Sequence, residues 1–334
     1  MSHHNEGNRE LTFGEAVREA LAEELRRDPR VFLMGEDIAY AGTTFKVLAG
    51  LVNEFGPERI IDSPISEAGI AGLGVGAAMT GLRPVIDIMF GDFITLTMDQ
   101  MVNQAAKIHY MSGGKLNVPM VLRTTMGAGR RSAAQHSQSL HAWLCHIPGL
   151  KVVVPATPYD AKGLMKSAIR DDNPVAIFED KMMYKLVKGH VPEEEYTIPL
   201  GVADVKRAGD DITIVATSSM VYAALDAAKM LDEIGISAEV VDPRTLVPLD
   251  KETLIASAKK TSRVIIVDEG YEQYGVTAEM ASVIADGAFY YLDAPVKRLG
   301  AMNVPIPFSP ALEDLTIPNG ERIFAVAKEL CGKG

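Results

Sequence analysis

Cysteine is almost missing from this sequence of 334 residues: Cys145 and Cys331 are the only two, far apart and in no CxxC pair. Neither a disulfide framework nor a cysteine-based zinc site is expected, and a reducing compartment fits. Basic charge is short as well. Lys and Arg number 33 against 44 Asp and Glu, a net charge of −11. Such a chain is poorly suited to coating a phosphate backbone, which sets nucleic-acid binding aside. Long apolar runs are lacking too. The longest stretch free of Asp, Glu, Lys, Arg and His, residues 68–82, has 15 residues and five glycines, too short and too flexible to span a bilayer. The first ten residues are polar and carry no signal-peptide core, so a cytoplasmic protein is the expectation. The metalloprotease signature HExxH, the nucleophile elbow GxSxG and the phosphate loop GxxxxGK followed by Ser or Thr are all absent.

What is present is ordinary globular material, 47% hydrophobic and 23% charged, in a length that suits two domains. Thr12-Phe13-Gly14-Glu15 has capping-box spacing, and Phe13, Ala16, Val17, Ala20, Leu21 and Leu25 follow at helical period until Asp28-Pro29. Short apolar runs recur at 31–34, 59–61, 85–89, 120–122, 152–154 and 175–178. Helix-length segments lie between most of them, at 46–55, 68–80, 94–110 and 158–169. That alternation predicts a parallel sheet covered on both faces. Residues 185–199, polar and with three consecutive glutamates, read as a linker. Beyond it, strands at 212–216, 238–242, 264–268 and 296–299 alternate with helices at 221–234, 250–259 and 276–286. The expected fold is α/β: two open, mostly parallel-sheet domains, residues 1–190 and 200–334, joined through 185–200. Charge is split unevenly between them, with 20 basic and 21 acidic residues in 1–190 but 13 and 23 in 191–334.

Glu67 follows a proline-containing turn and precedes an apolar, glycine-rich helix. It is expected to face a dry region, where a carboxyl group has a raised pKa and can share a proton. A first-turn acid that complements the helix dipole is the plainer alternative. Gly72, Gly74 and Gly76 fit a loose dinucleotide pattern but fall inside that helix, not in the turn after a strand, so close helix packing explains them better. His136, within Gln135-His136-Ser137-Gln138 and after a glycine-containing loop, suits a positioned acid/base group or a structural histidine. His141, Cys145 and His146 do not put three ligands on one helical face, and no metal is expected there.

Several segments occur in a characteristic order: Asp62-Ser63-Pro64-Ile65-Ser66-Glu67, Gly81-Leu82-Arg83-Pro84, Tyr110-Met111-Ser112-Gly113-Gly114, Ala134-Gln135-His136-Ser137-Gln138, Pro148-Gly149-Leu150-Lys151-Val152-Val153 and Ser167-Ala168-Ile169-Arg170-Asp171. With Pro305-Ile306-Pro307 and Leu312-Glu313 they cover nearly the whole chain. Their ordered set resembles the β subunits of thiamine-diphosphate-dependent 2-oxoacid dehydrogenases, which are transketolase-like and include pyruvate and acetoin types. The resemblance implies that the first domain binds the cofactor's aminopyrimidine ring and the second serves assembly and docking. It implies Glu67 as the carboxyl that shares a proton with that ring, Phe93 as the aromatic stacked on it, and His136 at the mouth of the site, passing the acyl group to lipoamide. A core phenylalanine is the alternative for Phe93. A potassium site built mainly of backbone oxygens is implied at Met120, Ala168, Asp171 and Asn173.

The family's diphosphate-and-magnesium motif, Gly-Asp-Gly followed by Asn, has no counterpart; Gly209-Asp210-Asp211 breaks it at the third position. The resemblance therefore implies an α subunit that holds magnesium, an α2β2 assembly with cofactor at the interface, and the lipoyl and subunit-binding domains of a dihydrolipoyl acyltransferase core as further partners. The acidic second half would steer the small basic docking domain of that core, with Asp268, Glu269 and Glu272 as candidate contacts. Residues 304–314 resemble acetoin-cleaving relatives. A branched-chain 2-oxoacid enzyme, a transketolase-like fragment and a non-catalytic α/β binding protein are the alternatives.

Overall fold

In the computed structural model, which describes residues 9–332, strand β1 (Glu10–Thr12) leads into helix α1 (Phe13–Arg27). The capping box forms: the Thr12 hydroxyl accepts from the Glu15 N–H, and the Glu15 carboxylate accepts from the Thr12 N–H. Then come β2 (Val31–Gly35), α2 (Leu51–Phe55), β3 (Ile60–Asp62), α3 (Glu67–Met79), β4 (Arg83–Ile88), α4 (Ile108–Met111), β5 (Val121–Met126), α5 (His141–Cys145), β6 (Lys151–Val153), α6 (Pro158–Arg170) and β7 (Val175–Asp180). Strands β6-β7-β5-β4-β2-β3, in that order, form a parallel sheet. The central β5 and β7 are buried along their whole length, as a sheet with helices on both faces requires.

After α7 (Met183–Leu186) and β8 (Lys188–His190), the second half supplies β9 (Asp204–Arg207), β10 (Ile212–Ala216), α8 (Met220–Asp232), β11 (Ala238–Asp242), β12 (Thr245–Val247), α9 (Lys251–Thr261), β13 (Val264–Tyr271), α10 (Val276–Ala288), β14 (Lys297–Ala301), α11 (Pro310–Thr316) and α12 (Gly320–Leu330). Its sheet runs β14-β13-β10-β11-β9, parallel except for the edge strand β9. Among the described residues no helix is long and apolar enough to cross a membrane.

Four local expectations change. The segment 46–55 is helical only from Leu51, because Lys46 and Gly50 take left-handed backbone angles. The helix expected over 94–110 is broken into a 3₁₀ segment at Gly91–Thr97, a π-helical turn at Gln100–Ala105 and the short α4. Two causes are visible. The hydroxyls of Thr95 and Thr97 donate back to the carbonyls of Asp92 and Ile94, and Gly91 sits so close to β5 that a Cβ there would lie 2.5 Å from the Thr125 carbonyl oxygen. Residues 185–199 are no free linker. β8 pairs with β1, Val191 and Ile198 are buried, and Glu195 bridges Lys166 and Arg170 of α6. Finally, β12 leaves the second half and pairs antiparallel with β6, extending the first sheet by one strand. Close by, Asp160 of α6 takes Lys206 of β9 and Arg244, with Asp242 buried alongside, so that ion pairs fasten one half to the other.

Candidate active site

Ligand sites in open parallel sheets lie beyond the carboxyl ends of the strands, and Glu67, Phe93 and His136 lie there, with Glu36, Phe90 and Lys181 at the ends of the same set of strands. Glu36 follows β2, and Glu67 opens α3 after β3. Phe90 and Phe93 follow β4, the loop carrying His136 follows β5, and Lys181 follows β7. Helix α3 packs directly on the 3₁₀ segment that carries Phe93.

Glu67 is buried. Glu36 is its charged neighbour: burial first, then the Glu67 carboxylate, then Asp37 and Asp87 hold Glu36 above the usual carboxylate range. One Glu36 oxygen, Oε1, is buried with no hydrogen-bond partner, and so is Oε1 of Gln100. Two acids that feel each other's charge, with an unpaired buried acceptor oxygen, make a place suited to a ligand that can donate. Phe93 and His136, both half-buried, meet edge to face with ring centres 5.4 Å apart. Phe90 completes the group at 5.8 Å from Phe93 and 4.8 Å from His136. The carboxyl end of the first sheet thus carries a pair of acids and, from neighbouring strands, an aromatic wall that has a histidine in it.

The loop from Gly127 to Gln138 is fixed by side chains from both halves of the chain. Lys181 Nζ donates to the carbonyls of Gly127 and His136, the latter at 2.7 Å. From β13, Glu269 accepts the Ala128 N–H at 2.7 Å; from α11, Glu313 accepts the Gly129 N–H at 2.8 Å and the Arg131 guanidinium at 2.6 Å. Asp92 accepts the Gln138 N–H and its side-chain amide. Burial and the Asp180 carboxylate push Glu269 well up, while burial lowers Lys181.

Other residues fall elsewhere. His141 is buried and donates to Asp268, which also accepts from Thr217. Burial pushes the Cys145 thiol up to about 12, so it is no nucleophile. Cys145 and His146 line a cavity of about 500 Å³ with Leu246, Lys251, Tyr274 and Met280, a space that includes none of Glu67, Phe93 and His136. Met120, Ala168, Asp171 and Asn173 cluster where α6 ends and β7 begins. The Met120 carbonyl accepts the Val175 N–H, the Ala168 carbonyl accepts the Asp171 N–H, and the Asp171 carboxylate takes Lys151 and both nitrogens of Asn173. Asp268 and Glu269 are interior residues and cannot steer a partner, which corrects the expectation for them; Glu272 is half-buried. Of the glycines on α3, only Gly74 packs inward, where a Cβ would lie 2.7 Å from Ile86 Cγ2; Gly72 and Gly76 are exposed. The sequence reading missed Glu36 and Lys181. Each follows a buried strand directly, and that position was the available signal.

Residues 9–187 match the transketolase pyrimidine-binding domain and residues 201–323 the transketolase C-terminal domain. Over 97% of this chain and 98% of the relative, it is 49% identical to the acetoin:2,6-dichlorophenolindophenol oxidoreductase subunit beta of Bacillus subtilis. It is 45% identical to the 2-oxoisovalerate dehydrogenase subunit beta of Bacillus subtilis and 47% to the pyruvate dehydrogenase E1 component subunit beta of Rickettsia felis, each over 96% of this chain and 98% of the relative. Among solved structures, a split-gene transketolase described as an inactive beta4 tetramer superposes with a TM-score of 0.76 at 25% identity, over 96% of this chain and 98% of that one. A buried acid and an aromatic–histidine wall at the strand ends, on a frame matched end to end, have one reading: the chain belongs to the transketolase-like family of dehydrogenase β subunits.

Proposed function

We propose that the chain is the β subunit of a thiamine-diphosphate-dependent dehydrogenase of pyruvate or acetoin type, which cleaves a carbon–carbon bond and reductively acylates lipoamide together with an α subunit. The observation that carries this is the Glu36–Glu67 pair with its unpaired buried oxygen, which lies at the same carboxyl end of the first sheet as the Phe93–His136 ring contact. An aminopyrimidine ring fits these residues. It has a flat face for Phe93, a ring nitrogen that can share a proton with Glu67, and an amino group that can donate to an unpaired carboxylate oxygen. When bound, the cofactor supplies the carbon nucleophile and electron sink that no side chain provides. Glu67 holds the proton at the ring nitrogen, Phe93 orients the ring, and His136 serves transfer at the mouth.

A second chain is needed for the rest. Helix α3 is apolar on all sides, yet Ala68, Gly69, Gly72, Leu73 and Gly76 are exposed on it, and Ile65 beside it is 82% exposed. A helix of that kind is expected to be covered, and an α subunit carrying magnesium and the diphosphate site is the proposed cover, in an α2β2 assembly. A potassium ion is proposed at Met120, Ala168, Asp171 and Asn173, where carbonyls that accept one N–H keep a second lone pair. The division into a domain of residues 1–190 and one of 200–334, the cytoplasmic location, and docking of lipoyl and subunit-binding domains belong to the same proposal. With Asp268 and Glu269 inside, the acids available for docking are exposed ones such as Asp226, Asp232 and Glu233 on and beside α8.

The test separates two residues by step in the reconstituted αβ enzyme. Glu67→Gln should abolish turnover with an artificial electron acceptor and with lipoyl domain alike. His136→Ala should lower lipoyl acylation at least about tenfold more than the artificial-acceptor reaction. Equal losses from both variants in both assays would overturn these roles. Pyruvate, acetoin and 2-oxoisovalerate, run side by side, assign the substrate.

A further inference from the structure

Lys181 is unusual for a lysine: it is 4% exposed, and its ammonium is spent on backbone carbonyls, not on one carboxylate. Those carbonyls belong to Gly127 and His136, the two ends of a ten-residue loop. Lysine is a compact point charge with three donors, so one ammonium can bridge two chain segments, which the methyl end of a methionine of similar length cannot. Its charge is balanced from three directions, by Asp180 beside it on the chain, by Asp92 beyond β4 and by Glu269 from β13; Arg130 is the nearby cation that opposes it. Gly127 leaves room for this arrangement. It has a positive φ of 98°, and a Cβ there would lie 2.8 Å from Asp180 Oδ2 and 3.0 Å from Glu269 Oε2.

We propose that Lys181 is a positioning residue for His136, closing the loop 127–136 by bridging its two ends, with Glu269 and Glu313 of the second half holding its first part at Ala128, Gly129 and Arg131. The imidazole then stays against Phe90 and Phe93, and the second half of the chain takes part in shaping the active-site mouth without touching substrate. The inference rests on the reading of His136 given above.

Lys181→Met keeps the length and removes the charge; Lys181→Arg keeps the charge. In the reconstituted enzyme, Lys181→Met should lower kcat for lipoyl acylation by about 10- to 100-fold while the artificial-acceptor rate changes less than about threefold, and Lys181→Arg should recover part of the loss. In a His136→Ala background the same Lys181→Met change should cost less than about twofold, since both act through one group. Hydrogen exchange on the full chain supplies a readout apart from activity: the amides of 127–138 should exchange faster in Lys181→Met, while those of β5 and β7 do not. If His136→Ala is selective for acylation but Lys181→Met is not, or if Lys181→Met costs as much without His136 as with it, the positioning role is overturned. If His136→Ala is itself unselective, it is the underlying reading of His136 that fails. Should Lys181→Met not fold, Lys181→Arg and Lys181→Gln in the same two assays carry the test.

Discussion

Glu36 sits where its charge is disfavoured by burial and by neighbouring carboxylates. Its folded pKa is raised, so the folded chain binds a proton at Glu36 more tightly than the unfolded chain does. Its contribution to stability therefore falls as pH rises from the ordinary glutamate value near 4.5 toward the raised one, and stays low above it. Glu36→Gln removes that penalty. The isolated chain should melt at a higher temperature than wild type at pH 8, with the difference shrinking toward pH 4. In the reconstituted enzyme the same variant should bind thiamine diphosphate more weakly, because an ionisable acceptor is gone. A variant that loses stability at pH 8, or keeps full cofactor affinity, would show that Glu36 is an ordinary structural acid. Glu36 escaped the sequence reading because its neighbour Glu67 is 31 residues away, and only the pairing of β2 with β3 brings them together. Glu67, Phe93 and His136 were legible as a set only through family resemblance; singly, each has a plain structural explanation.

Secondary elements were far more legible than their joints. β10 lies at 212–216, where a short apolar run announced it, because a strand buried on both faces is mostly apolar; β11 takes its expected place at 238–242 although Glu239 and Asp242 are buried in it. The edge strands β1, β8, β9 and β12 gave no such signal, since a strand of three or four residues is too short to show a pattern, even where, as in β12, most of it is buried. α3 shows both sides of the matter within one helix. Gly74→Ala would press a methyl group onto Ile86, and should destabilise the chain by about 1–3 kcal/mol in denaturant titration, as overpacking does. Gly76→Ala meets nothing within 4 Å and should leave the isolated chain unchanged or stabilise it by up to about 1 kcal/mol, the helix-propensity gain. Its cost should instead appear as weaker association with the α subunit. If Gly76→Ala assembled as well as wild type, the outer face of α3 would not be the contact.

At the scale of the whole molecule, the two halves are joined twice over, by β12 added to the first sheet and by the Asp160–Lys206–Arg244 ion pairs. A sequence reading into two independent domains misses this, because Thr245 and Val247 lie 92 and 95 residues from their partners Val153 and Val152 in β6. The joint has a consequence for the site: loop 127–138 belongs to the first half but is gripped by Glu269 and Glu313 of the second. In the proposed function this hydrogen-bonded loop belongs to half an active site, and a second chain seated on the outer face of α3 would bring the diphosphate half. Calorimetry of thiamine diphosphate with magnesium, on this chain alone and after reconstitution with its α subunit, tests that most directly. The lone chain should bind weakly or not detectably and turn nothing over, with tight magnesium-dependent binding once the α subunit is added; tight magnesium-dependent binding to the lone chain would contradict the shared-site reading.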